Sequence, residues 1–246
     1  MAERIWDKFL TEQDKSHLEA SADERIGFGE KPALLMIDLY RWVFGDEPEP
    51  LVQALPRWPS SCGPVAWNAL PFIQSLLATA REAGIPVIHT TGLAESDSGI
   101  KGWNRHNRAK TMDTSAEAKD RFARRYDIVD EVAPVLGEAV LRKESPSAFF
   151  GSPLPGHLTR LGIDTVIVAG ESTSGCVRAS VVEGTSYRYR MVVAEECVFD
   201  RHESAHAMNL FDMDQKYADV LPLAEIEAWI RQWSDSRPAV PASGAR

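Results

Sequence analysis

Five short runs rich in Val, Ile and Leu punctuate the chain, at residues 33–37, 85–90, 139–141, 165–169 and 191–194. They are apolar at successive rather than alternate positions, as strands covered on both faces require. Between the first two, residues 65–83 carry apolar side chains at helical spacing and stop before Gly84, a residue suited to closing a helix. Helical spacing returns at 154–161, ahead of the fourth run, and at 177–187, ahead of the fifth. The alternation predicts an α/β fold: a three-layer, doubly wound sandwich with a mostly parallel central sheet in Rossmann-like order and right-handed connections.

Three stretches break this rhythm. Residues 46–64 contain Pro48, Pro50, Pro56, Pro59 and Pro64 and read as an irregular surface loop. Residues 93–112 are polar and follow the C-terminal end of the second run, where ligands sit in open α/β sheets, so they read either as a lid or as a solvated connection. Residues 221–233, apolar and containing Trp229 and Trp233, suit either an interface or a helix packed on its own sheet. The expected organisation is an N-terminal helical extension over 1–24, one domain over 25–233 and a flexible tail over 234–246.

Composition narrows the partners. A net charge of -9 opposes nucleic acid and anionic membranes, both of which need a positive footprint. No apolar run reaches the length of a membrane span and the first residues lack the pattern of a secretory signal. Cys62, Cys176 and Cys197 are too few and too irregular for a disulfide framework and suit a reducing compartment, so a cytoplasmic protein acting on a small molecule is expected.

Candidate chemistry gathers where runs end. Asp38 closes the first run, either as a cap on the following loop or as a base with a charged partner. Lys143 lies just past the third, either solvated or placed to lower the pKa of a neighbouring thiol. Cys176 follows the small-residue turn 170–175 and opens a helical run, where backbone N–H groups and the helix dipole favour a thiolate and an oxyanion. The bland alternative is a buried, inert cysteine, the expected role of Cys62 and Cys197. No glycine cluster follows the first strand and no phosphate-binding loop occurs.

Together, an Asp after the first strand, a Lys after the third and the turn Gly-Glu-Ser-Thr-Ser-Gly-Cys after the fourth resemble the isochorismatase-like cysteine hydrolases, over about residues 25–220. Arg25 to Gly29, Ser147 to Phe149, Gly175 to Arg178, Phe199-Asp200-Arg201 and Asn209 to Tyr217 make the resemblance nearest to the N-carbamoylsarcosine amidases, with maleamate and biuret-type hydrolases as relatives.

The resemblance implies a catalytic triad of Asp38 (base), Lys143 and Cys176 (nucleophile), and a cis peptide between Glu171 and Ser172. It also implies an oxyanion hole from the N–H groups of Ser172 and Cys176. Substrate would be bound by Arg201, Glu171, Thr173 and Phe149. Arg201 would hold a substrate carboxylate, its alternative being a surface ion pair with Asp200 or Glu203. The expected reaction is cleavage of a C–N bond in a small linear amide or ureide, such as an N-carbamoyl amino acid, maleamate, biuret or triuret, with release of ammonia.

His202 and His206 are four apart but lack a third ligand nearby, and no Asp-x-His triplet lies between Trp42 and Trp67. No metal and no cofactor are expected, and the resemblance implies a homo-oligomer, a dimer or tetramer.

Overall fold

The computed structural model describes residues 4–20, 25–92 and 115–237. Six strands, β1 (Pro32–Ile37), β2 (Val87–Gly92), β3 (Ala139–Lys143), β4 (Thr165–Glu171), β5 (Arg190–Phe199) and β6 (Asp219–Leu221), form one sheet in the order β3-β2-β1-β4-β5-β6. All adjacent pairs are parallel, so the predicted doubly wound sandwich is the observed fold. β6 escaped prediction because a three-residue run gives no pattern to read.

Helices cover both faces: α1 (Glu12–Ala20), α2 (Arg41–Phe44), α3 (Leu51–Ala54), α4 (Pro64–Glu82), α5 (Ala116–Ala123), α6 (Leu154–Leu161), α7 (Arg178–Ser186), α8 (Glu203–Lys216) and α9 (Leu223–Asp235). β1 shows how continuous apolarity is used. Because successive strand residues point to opposite faces, Leu34 and Met36 join the core under α4 and α9. Ala33, Leu35 and Ile37 join the core under α6, α7 and α8. Full burial of each large aliphatic side chain stabilises the fold by ~1.5–3 kcal/mol.

β3 departs from the expectation of burial on both faces, since it lies at the sheet edge and alternates, with Val140 44% exposed. Of the two readings for 221–233, the packed helix is the observed one: Leu223, Ile226 and Ile230 enter the core, and Phe28 stacks on Trp229 at 4.0 Å. Trp6, ahead of α1, is buried against the other face. No helix among the described residues is long and apolar enough to cross a membrane.

The segment 46–64 is a surface loop only in part, with Val52 80% exposed. It contains α3, and it buries Trp58, Ser61 and Cys62. Prolines made it irregular, but its Trp and Cys seek the interior. The predicted loop at 93–112 and the tail from 238 lie outside the described residues.

β1 and β4 approach closely at Gly170, which has φ +123°, and a Cβ there would stand 2.0 Å from the carbonyl oxygen of Ile37. Gly84 also has a positive φ, +69°, but open space around it. In urea unfolding, Gly170→Ala is expected to cost more than about 4 kcal/mol and Gly84→Ala about 1–2 kcal/mol. Equal costs would mean that this strand contact does not constrain the sheet.

Candidate functional site

The strands are parallel, so their C-terminal ends share one edge, and the candidate residues collect there. The order reverses direction between β1 and β4, and a crevice at such a switch point is the usual ligand site of this architecture. Asp38 follows β1, Lys143 ends β3, Glu171 ends β4 and Arg201 follows β5. Asp38 takes a left-handed conformation, φ 55°, which Asp tolerates better than most residues, and its N–H donates to the Thr90 carbonyl oxygen.

Asp38, Lys143 and Cys176 come together. Lys143 Nζ lies 2.7 Å from Asp38 Oδ2, an ion pair outside hydrogen-bond angles, and donates to Cys176 Sγ at 3.3 Å and to the Ser145 carbonyl oxygen at 3.1 Å. Asp38 is 1% exposed and Lys143 9%, so neither the loop-cap reading of Asp38 nor the solvated reading of Lys143 holds. Thr90 on β2 donates its hydroxyl to Asp38 Oδ1 at 3.0 Å.

The electrostatics correct one expectation. Burial works against the Lys143 ammonium, yet Asp38 and Cys176 together outweigh it and raise its pKa. For Cys176, burial and then the Asp38 charge push the thiol pKa up, and Lys143 offsets this only in part. Cys176 therefore rests as a thiol, not as the thiolate that a lone lysine and a helix start would give. A thiol beside a carboxylate is arranged for deprotonation on demand.

Cys176 sits in a π-helical turn, Thr173–Val177, leading into α7. The peptide bond between Glu171 and Ser172 is cis. Gly175 leaves room for Ser172, since a Cβ there would meet Ser172 Oγ at 2.5 Å. Asp200 anchors the turn: its Oδ2 accepts from the Ser174 N–H at 2.8 Å and from the Ser174 hydroxyl at 2.6 Å. On α8, His206 Nδ1 pairs with Thr173 Oγ1 at 2.7 Å, and burial lowers the histidine's pKa.

Arg201 makes neither of the ion pairs weighed for it. Its Nη1 lies 2.9 Å from Glu171 Oε1, its Nη2 donates to the Ser60 carbonyl oxygen, and its Nε has no partner among the described residues. Glu171 also accepts from Cys62 Sγ at 3.7 Å. Burial raises the Glu171 pKa to about 7, Arg201 opposing the rise and Asp38 adding to it.

Phe149 is 1% exposed and packs on Tyr187 at 5.7 Å, within the core under α7 rather than with the triad. Sequence reading missed Thr90, Tyr40 and Ser60, and took Asp200 as a partner of Arg201 rather than as the anchor of Ser174. Thr90 pairs with Ile37, the residue before Asp38, so register alone would have flagged it, and Tyr40 lies two residues beyond Asp38. Burial and the charges of Asp38 and Glu171 raise the Tyr40 phenol well above its usual pKa. Ser60 gave no signal. Among the described residues no group of three His, Cys, Asp or Glu is placed to hold a metal.

With this geometry in place, comparison with known proteins is informative. The isochorismatase domain family matches residues 32–225. A maleamate amidohydrolase from Pseudomonas putida is 41% identical over 202 residues, covering 80% of this chain and 86% of that protein. An N-carbamoylsarcosine amidase from an Arthrobacter species is 32% identical over 204 residues, covering 82% and 72%. Among solved structures, an isochorismatase family protein from Desulfovibrio vulgaris superposes with a TM-score of 0.66 at 25% identity, covering 82% of this chain and 100% of that one. The N-carbamoylsarcosine amidase of Thermoplasma acidophilum does so with a TM-score of 0.59 at 25% identity, covering 78% and 96%.

The electrostatics make a test of opposite signs. Removing the Asp38 charge lowers the Cys176 pKa, and removing Lys143 raises it. Asp38→Asn is therefore expected to speed iodoacetamide alkylation of Cys176 at fixed pH by about tenfold or more, and Lys143→Met to slow it. Cys62 and Cys197, buried and with raised pKa values, should stay unmodified in a peptide map. Equal rates in both variants would contradict this assignment of charges.

Proposed function

The chain belongs to the isochorismatase family, and on that premise we propose that it is a cysteine-dependent amidohydrolase acting on a small linear amide that carries a carboxylate. The single observation behind the reading is the buried cluster of Asp38, Lys143 and Cys176 with a thiol held neutral against a carboxylate.

Asp38 takes the Sγ proton as sulfur attacks the amide carbon. Lys143 stays charged throughout and its ammonium, paired with Asp38, offsets the cost of burying that carboxylate. The Ser172 and Cys176 N–H groups stabilise the tetrahedral oxyanion, each donor worth ~3 kcal/mol in comparable sites. Asp38 returns the proton to the leaving nitrogen, the C–N bond breaks and ammonia departs. Water, deprotonated by the same carboxylate, then cleaves the thioester and restores the thiol.

Two of the relatives supply the substrate class, since maleamate and N-carbamoylsarcosine are both small amides bearing a carboxylate. Arg201, one residue beyond the anchor of the nucleophile turn, is the cation suited to that group. One observation favours a second reading, a neutral ureide such as biuret: the guanidinium already holds Glu171 and Ser60.

Ammonia release from maleamate, N-carbamoyl amino acids, biuret and triuret separates the two. Cys176→Ala is expected to lose at least about a thousandfold in kcat/KM on any substrate found. Arg201→Ala should raise KM for the acids alone. Full activity without Cys176 would refute the mechanism, and acids left untouched beside fast biuret turnover would refute the substrate class.

A further inference from the structure

Resting on the reading of a carboxylate-bearing substrate, the geometry poses a problem of charge. Glu171 is 5% exposed and its carboxylate lies 2.9 Å from Arg201. Asp38 acts on it from β1, Asp200 and Arg201 from the segment after β5, and Cys62 from the segment before α4. Tyr40 and Cys176 share the same field. Lys143 is committed to Asp38. A substrate carboxylate at Arg201 would add a further anion beside Asp38, Glu171 and Asp200, with Arg201 the one cation left to share among the described residues that act on Glu171. A buried charge stripped of its partner costs several kcal/mol, far more than taking up a proton near neutral pH.

We infer that Glu171 acts as an internal stand-in for the substrate carboxylate, ceding Arg201 to the incoming acid and taking up a proton as it does so. Two observations on the guanidinium fit this exchange. Its Nε donor is buried without a partner among the described residues, and a carboxylate replacing Glu171 could engage both Nε and an Nη, the fork that Glu171 meets at one nitrogen only. The Cys62 thiol donates to Glu171 Oε1 at 3.7 Å, a contact that does not depend on Arg201. The raised pKa of Glu171, about 7, puts uptake of a proton within reach near neutral pH.

The sign follows from linkage. Below Glu171's own pKa the proton is already present and acid binding is independent of pH. Above it, each unit costs the complex one proton from a tenfold scarcer pool, so affinity for the acid falls up to tenfold per pH unit. A neutral amide that does not need Arg201 shows no such slope.

The test is calorimetric titration of full-length Cys176→Ala protein with maleamate and with an N-carbamoyl amino acid at about pH 8, in phosphate and in Tris. These buffers differ in ionisation enthalpy, so the difference in observed heat counts protons. The expected result is uptake of close to one proton per acid bound, and loss of that uptake in Cys176→Ala/Glu171→Gln. Acid binding without uptake overturns the exchange and leaves the substrate class intact, as does uptake that persists in the double variant. Binding of biuret with no binding of either acid overturns both.

Discussion

The site depends on one buried ion pair, that of Lys143 with Asp38. Each partner alone would be untenable: removing one member of such a pair costs ~3–5 kcal/mol because the other is left charged in a poor solvent. Together they put a buried carboxylate within the field of a thiol, and the same ammonium reaches Cys176 at 3.3 Å. β1 and β3 are not neighbours, since β2 lies between them, and Thr90 on β2 fills the gap by holding the second Asp38 oxygen. The sheet is thus the device that sets three charged or polar side chains from three strands at contact distance.

Around this pair, the turn after β4 is fixed from outside. Asp200 and His206 hold Ser174 and Thr173, so the segment that carries Cys176 is tied to the end of β5 and to α8 rather than left as a free loop. The hydroxyl of Thr173 is spent on that link, which makes it a support for the turn. Glu171 begins the same turn and reaches the other way, to Arg201 and Cys62, linking the Cys176 turn to the segment that the prolines had marked as a surface loop.

Much of the fold was legible because burial on both faces leaves a simple trace, a continuous apolar run. The trace misses β6, which has three residues, and for β3, which it does find, it overstates the burial, since that strand alternates at an edge. Asp38 and Lys143 were legible as positions at strand ends but ambiguous in role, because a cap and a buried ion pair look alike until the strands are paired. The sign of the shift at Cys176 was not legible. A helix start and a lysine both favour a thiolate, and only the depth of burial and the nearness of Asp38, which are properties of the packed site, reverse the balance. Phe149 was assigned to substrate by resemblance, whereas its ring packs with Tyr187 and Tyr189 in the core.

The central claim is that substrate becomes covalently attached to Cys176. Mixing enzyme and a carboxylate-bearing amide in single-turnover proportions, quenching in acid over successive milliseconds and mapping peptides by mass tests it directly. The account predicts a transient peptide containing Cys176, heavier by the acyl group of the substrate less ammonia, rising and falling as product appears. Complete turnover with Cys176 unmodified at every time point would contradict it.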